Sequence, residues 1–181
     1  GLAPERPEIL EALGRCSLDL QRLSDELVPI QEESPTVVIL WSLSSKVLGK
    51  GHGYPYAQAS FLGEPVGFVT EEKLAHYLKT GEKCRSLRAA RVIVLQGVTH
   101  LPDESVAALK RLEGEGVAIL SVGAELAFDD LGRPRGATPW PSRAEAKAHE
   151  IFDCLVAERG KWKLPKRPRL VKPVYGVETH G

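Results

Sequence analysis

Gly49-Lys50-Gly51-His52-Gly53 gathers three glycines, a lysine and a histidine into five residues, a grouping in which backbone amides and an ammonium could cradle a phosphate. The order does not suit that task. A phosphate loop needs G-x-x-x-x-G-K-[ST] and a dinucleotide fingerprint needs G-x-G-x-x-G directly after a strand, so a surface loop or inter-domain contact is expected here instead. Nucleophilic chemistry has candidates in Ser121 and Cys84, with His100 as the base. A nucleophile elbow would present its side chain at Val122 or Gly123 of Ser121-Val122-Gly123-Ala124-Glu125, and neither can attack a carbonyl. Ser121 and His100 are therefore expected to be satisfied polar groups. Glu125, Asp129 and Asp130 could supply the two carboxylates of a glycoside hydrolase, but Arg133 and Arg135 follow at once, and ion pairs that hold the loop are the simpler expectation. The histidines (52, 76, 100, 149 and 180) form no i, i+4 pair, and Cys16, Cys84 and Cys154 form no C-x-x-C. No metal, cofactor or disulfide framework is expected.

These groups must be positioned by an alternation of strands and helices. Residues 1–35 carry eight acids against three bases, and Ile9, Leu10, Leu13, Leu20, Leu23 and Leu27 recur at steps of about 3 and 4 until Pro29, which predicts an acidic amphipathic entry helix. The run Thr36-Val37-Val38-Ile39-Leu40-Trp41 predicts a strand covered on both faces. A Ser-, Lys- and Gly-rich loop is expected over residues 42–54, then a helix through Phe61 and Leu62. A second strand is expected at Val66-Gly67-Phe68-Val69, followed by a helix capped by Thr70 and ended by Gly81. A third strand over residues 90–95, a helix over 103–113 and a fourth strand over 117–121 complete the pattern. The expected class is α/β, a flavodoxin-like or Rossmann-like three-layer domain with a mainly parallel sheet spanning residues 36–158. Ser142 and Glu145 form a capping box for a last helix through Leu155. Residues 159–181 read as an extended strap that holds seven bases and no acid from Arg159 to Lys172, leading toward a further domain.

The whole chain has 24 basic and 24 acidic side chains among 181 residues, so no global field draws it to nucleic acid. No apolar run approaches the roughly 20 residues that cross a bilayer, so no membrane partner is expected. Free cysteines slightly favour a cytoplasmic setting. Methionine is absent and residue 1 is Gly, which suggests a piece excised from a longer protein.

The stretch from Val92-Ile93-Val94-Leu95-Gln96-Gly97-Val98-Thr99-His100-Leu101-Pro102 through Ala118-Ile119-Leu120-Ser121-Val122-Gly123 resembles the glutamine-amidotransferase-like trimerisation domain that follows the (β/α)8 barrel in family 42 β-galactosidases. Arg22-Leu23 to Leu40-Trp41-Ser42, Pro65-Val66-Gly67-Phe68-Val69-Thr70-Glu71-Glu72 and Asp129-Asp130-Leu131-Gly132-Arg133-Pro134-Arg135 are similar to further parts of it. The resemblance implies a class I amidotransferase-like fold with no catalytic residue in this chain, because the family's two glutamates lie on the barrel and Val122 or Gly123 takes the amidotransferase cysteine position. It implies self-association into a homo-oligomer such as a trimer, contact with the barrel of the parent enzyme, and loops that close over a carbohydrate. Trp41, Ser42, Lys46, His52, Gly97, His100 and Glu125, at the C-terminal edge of the expected sheet, are the candidate ligand contacts. Trp41 taken alone is more simply a core-edge aromatic. The alternatives are an amidotransferase-like hydrolase with a non-standard nucleophile, and a free-standing binding domain.

Overall fold

β-branched and aliphatic residues crowd χ1 and favour the pleated backbone, and in Val37–Trp41 they form the central strand β1. The computed structural model describes residues 7–25, 28, 32–49, 59, 63–142, 156, 160 and 161. These divide into two compact units, Gly1–Glu33 and Ser34–Gly181. The first contains helix α1, Pro7–Arg22.

In the second unit the order is β1, α2 (Leu43–Leu48), β2 (Val66–Thr70), α3 (Glu71–Thr80), α4 (Arg85–Arg88), β3 (Val92–Gln96), α5 (Asp103–Gly114) and β4 (Ala118–Val122). The strands form an all-parallel sheet in the order β2-β1-β3-β4. Val37 aligns with both Val66 and Val92, and Val92 with Ala118, so the four strands start level. This is the flavodoxin-like order, and the α/β class expected from the sequence is the one observed.

Side-chain alternation divides the core between two faces. Val38, Leu40, Ile93 and Leu95 join Leu74 and Tyr77 of α3, Leu87 of α4, and Leu109 and Leu112 of α5. Val37, Ile39, Val92, Val94, Leu120 and Val122 pack on the other face with Ala59 and the helical Val156. Right-handed crossovers explain the division: the connection from β1 outward to β2 falls on one face, and those running back through β3 to β4 fall on the other. Each large aliphatic side chain buried this way contributes about 1.5–3 kcal/mol.

The predicted punctuation holds for α3. Thr70 Oγ1 accepts from Lys73 N at 3.4 Å, and Gly81, in the left-handed region at φ +76°, donates its N–H to Tyr77 O at 2.8 Å. The expected loop over 42–54 requires correction. Its first part is helix α2, because Ser42 caps it by accepting the Ser45 N–H at 3.0 Å and Gly49 N closes it on Ser45 O at 2.8 Å. The helix expected through Phe61 and Leu62, the capping box at Ser142 and Glu145 with its helix, and nearly all of the basic strap lie outside the described residues. Among the described residues no helix is long and apolar enough to cross a membrane.

Candidate functional site

In an open parallel sheet, ligands enter where the strand order reverses, outside the C-terminal ends of the strands. Here that point lies between β1 and β3, and the segments after these two strands are bonded to each other. Ser45 Oγ donates to His100 O at 2.6 Å and accepts from Thr99 N at 3.1 Å and His100 N at 2.9 Å. Ser42 Oγ lies 2.6 Å from Glu71 Oε1 and 3.0 Å from His100 O. Glu71, at the start of α3, also accepts from Ser44 N at 3.1 Å and, through Oε2, from Ser44 Oγ at 3.0 Å. Two serines of one short helix, Ser44 and Ser45, and its capping Ser42 thus tie the ends of β1, β2 and β3 together. A Cβ at Gly49 would lie 2.5 Å from Thr99 Oγ1, so the last turn of α2 also sits tight against the same segment. The crevice at the switch point is filled by the chain's own hydroxyls and amides.

The candidate ligand residues fall into separate groups. Trp41 ends β1 after four buried residues and is 42% exposed, with Lys46 Nζ 4.5 Å from its ring centroid. Its first four neighbours in the strand are core, but its ring faces solvent as a cation–π platform. Ser42 is fully buried and serves α2 and Glu71. Gly97, at φ +62°, turns the chain out of β3, and its N–H donates to Val122 O at 2.8 Å. The His100 ring stacks on Phe128 with centroids 4.8 Å apart, and its Nδ1 lies 2.8 Å from Thr99 Oγ1. Glu125 is exposed and has no hydrogen-bonding or ionic partner among the described residues. His52 lies outside the described residues.

The nucleophile candidates do not assemble. Ser121 Oγ donates to Ala124 O at 3.2 Å. Cys84 immediately precedes α4 at the N-terminal edge of the sheet, whereas His100 follows β3 at the C-terminal edge. Cys154 lies outside the described residues.

The carboxylates after β4 act as braces. Asp129 Oδ1 accepts from Leu131 N at 2.9 Å and Arg133 N at 2.8 Å, and Oδ2 pairs with Arg133 Nε at 3.0 Å. The Arg133 amide, joined by the Leu131 amide and the arginine charges, holds the Asp129 carboxyl below its ordinary pKa against the opposing effect of burial. Arg135 donates to Asp103, Leu101 O and Phe128 O, clamping the turn onto the start of α5. Beside it lies a groove of about 340 Å³ bordered by Val106, Lys110, Arg133 and Pro139. Among the described residues no group of three His, Cys, Asp or Glu side chains could hold a metal.

Glu71, Ser45 and Thr99 join this edge although none of them is among the residues expected there from the sequence. The available signal was the Ser42–Ser45 spacing of a helix cap directly after an apolar strand.

The domain is a doubly wound parallel α/β unit with a closed switch point. No family model matches the chain, and no curated protein matches it. Among solved structures it is similar to an apo exo-carrageenase GH42 from Bacteroides ovatus, with a TM-score of 0.59 and 18% identity, over 81% of this chain and 20% of that one. The likeness is one of fold, and this chain spans about a fifth of that protein's length.

Proposed function

We propose that this chain is a non-catalytic α/β domain of a glycoside hydrolase of the β-galactosidase type. In this proposal it self-associates, contacts the barrel of its parent enzyme, and supplies part of a carbohydrate cleft from the C-terminal edge of its sheet. The observation that carries the proposal is the extended fold likeness to a one-fifth segment of a GH42 enzyme. The filled crevice at the β1/β3 switch point and the internally bonded Ser121 favour an accessory role over a catalytic one. Trp41, exposed at the strand end beside Lys46, is the side chain best suited to the apolar face of a sugar ring.

The test combines an assay with a titration. The chain should not hydrolyse nitrophenyl β-galactoside or carrageenan oligosaccharides, but galactose-based oligosaccharides should change its tryptophan fluorescence, and Trp41→Ala should abolish that change. Hydrolysis by the purified chain, or a response unaltered in Trp41→Ala, would overturn the proposal.

A further inference from the structure

The loop that follows β4 is fastened to α5 near both ends of the helix. At the helix start Arg135 donates to Asp103 and Leu101 O, and near its end the buried Trp140 donates its Nε1–H to Glu113 Oε1 at 3.2 Å. Between these fastenings the loop braces itself, with Asp129 N donating to Arg133 O at 2.9 Å and Arg135 N to Ala127 O at 2.7 Å. The groove of about 340 Å³ between loop and helix is therefore held in shape by contacts that need no ligand. Its size falls within the range of about 300–1,000 Å³ found for small-molecule sites. The helix wall follows from spacing, since Asp103, Val106 and Lys110 stand at steps of three and four and share one face of α5.

The charges lining the groove are not matched. Lys110, Arg133 and Arg135 stand against Asp103 and Asp129, which leaves one positive charge in excess. Both acids are already engaged, Asp103 by Arg135, and Asp129 by Arg133 Nε at 3.0 Å and by the amides of Leu131 and Arg133. Arg135 is occupied by Asp103 and two backbone carbonyls. Two sets of donors are left. The Lys110 ammonium has no hydrogen-bonding or ionic partner among the described residues, and Arg133 is held at Nε while its two Nη groups donate to none of them. Ammonium and guanidinium groups have donors and no acceptor, so a molecule that completes them must bring acceptors, and the strongest are the oxygens of an anion. Val106, Pro134 and Pro139 add apolar surface alongside, which suits a ring better than a bare ion. We propose that this groove binds a small organic oxyanion, a carboxylate, sulfate ester or phosphate ester on a body of monosaccharide size, through Lys110 and Arg133. The groove carries this inference without the glycoside hydrolase reading, so either can fail alone.

The experiment is a ligand-observed NMR titration of the full chain with glucuronate, glucose 6-sulfate and glucose 6-phosphate, and with glucose as the neutral reference. At least one of the three anions should bind saturably with a Kd of about 0.1–5 mM, and the tightest identifies the oxyanion. Glucose should bind at least about tenfold more weakly, because it lacks the charge-assisted hydrogen bonds. Raising salt from about 50 to about 500 mM should weaken the anion severalfold. Lys110→Gln should lower affinity about five- to tenfold and leave the urea unfolding midpoint where it was, since Lys110 has no partner in the fold to lose. Lys110→Arg restores the charge and should recover most of the affinity, a recovery that a general disturbance of the loop cannot give. Absence of saturable binding by all three anions up to about 50 mM, or equal binding of glucose, would overturn the proposal. So would an affinity unchanged in Lys110→Gln, which would put the anion elsewhere on the chain.

Discussion

The hydroxyl of Ser45 donates to the carbonyl oxygen of His100 at 2.6 Å, and Ser45 Oγ in turn accepts the amides of Thr99 and His100. One side chain thereby joins the end of β1 to the end of β3 across the point where this fold ordinarily admits ligand. Ser45→Ala, at a fully buried side chain, leaves two amides without their partner, that of His100 buried and that of Thr99 partly so. Each buried polar group stranded this way costs about 1–3 kcal/mol, so the variant should lose about 2–4 kcal/mol in urea unfolding. A loss under about 0.5 kcal/mol would mean that the closed edge contributes little to stability.

Two glycines should respond in opposite directions to the same substitution. A Cβ on Gly67 in β2 would lie 2.5 Å from Pro35 Cγ and 2.9 Å from Pro35 Cβ, beneath the buried ring that precedes β1. Gly67→Ala should destabilise by about 1–3 kcal/mol. Gly114, at the end of α5, has nothing within 4 Å of a new Cβ and no left-handed backbone. Gly114→Ala should stabilise by about 0.5–1 kcal/mol, because it narrows the unfolded ensemble and suits a helix. Thermal unfolding of the two variants side by side tests the pair.

Tyr77 makes stability depend on pH at the alkaline end. Burial first, then its hydrogen bond to Glu115 and that carboxylate's charge, push the phenol from 10.0 up to about 12, with Arg111 opposing. Because the folded value lies above the unfolded one, this contribution is complete below pH 10 and is lost as pH rises from 10 toward 12. Glu115 behaves in the opposite sense: Lys83, 2.7 Å away, and the Tyr77 hydroxyl hold its carboxyl below 4.5, so its contribution is complete above pH 4.5 and fades as pH falls below it. Tyr77→Phe should cost about 1 kcal/mol at neutral pH. The gap to the parent chain should narrow above pH 10, and a gap that stays constant to pH 12 would refute the linkage.

The sequence made the sheet legible where one local property sufficed. β1 and β3 are unbroken apolar runs because helices cover both of their faces, and α3 announces itself through Thr70 and Gly81. Asp129 with Arg133 was also legible as a brace, because the partners are four residues apart. The helix α2 was hidden. It is six residues long, its Leu43 and Val47 face solvent, and what holds it is Glu71, 29 positions from Ser42, and the backbone of His100, 55 positions from Ser45. Composition could not distinguish such a segment from a loop, since its stability comes from contacts distant in the chain.

Trp41 separates a ligand surface from a structural one. Its ring is 42% exposed and makes a cation–π contact with Lys46. Contacts of this kind at exposed sites contribute about 0.5–1 kcal/mol, so Trp41→Ala should lower stability by no more than about 1 kcal/mol while removing the carbohydrate-dependent fluorescence change. Lys46→Ala should leave the ring in place but withdraw the charge above it, so the response should persist with weaker affinity. If Trp41→Ala instead costs about 3 kcal/mol or more, as truncating a buried aromatic does, the residue serves the core and the cleft must be sought elsewhere on this edge.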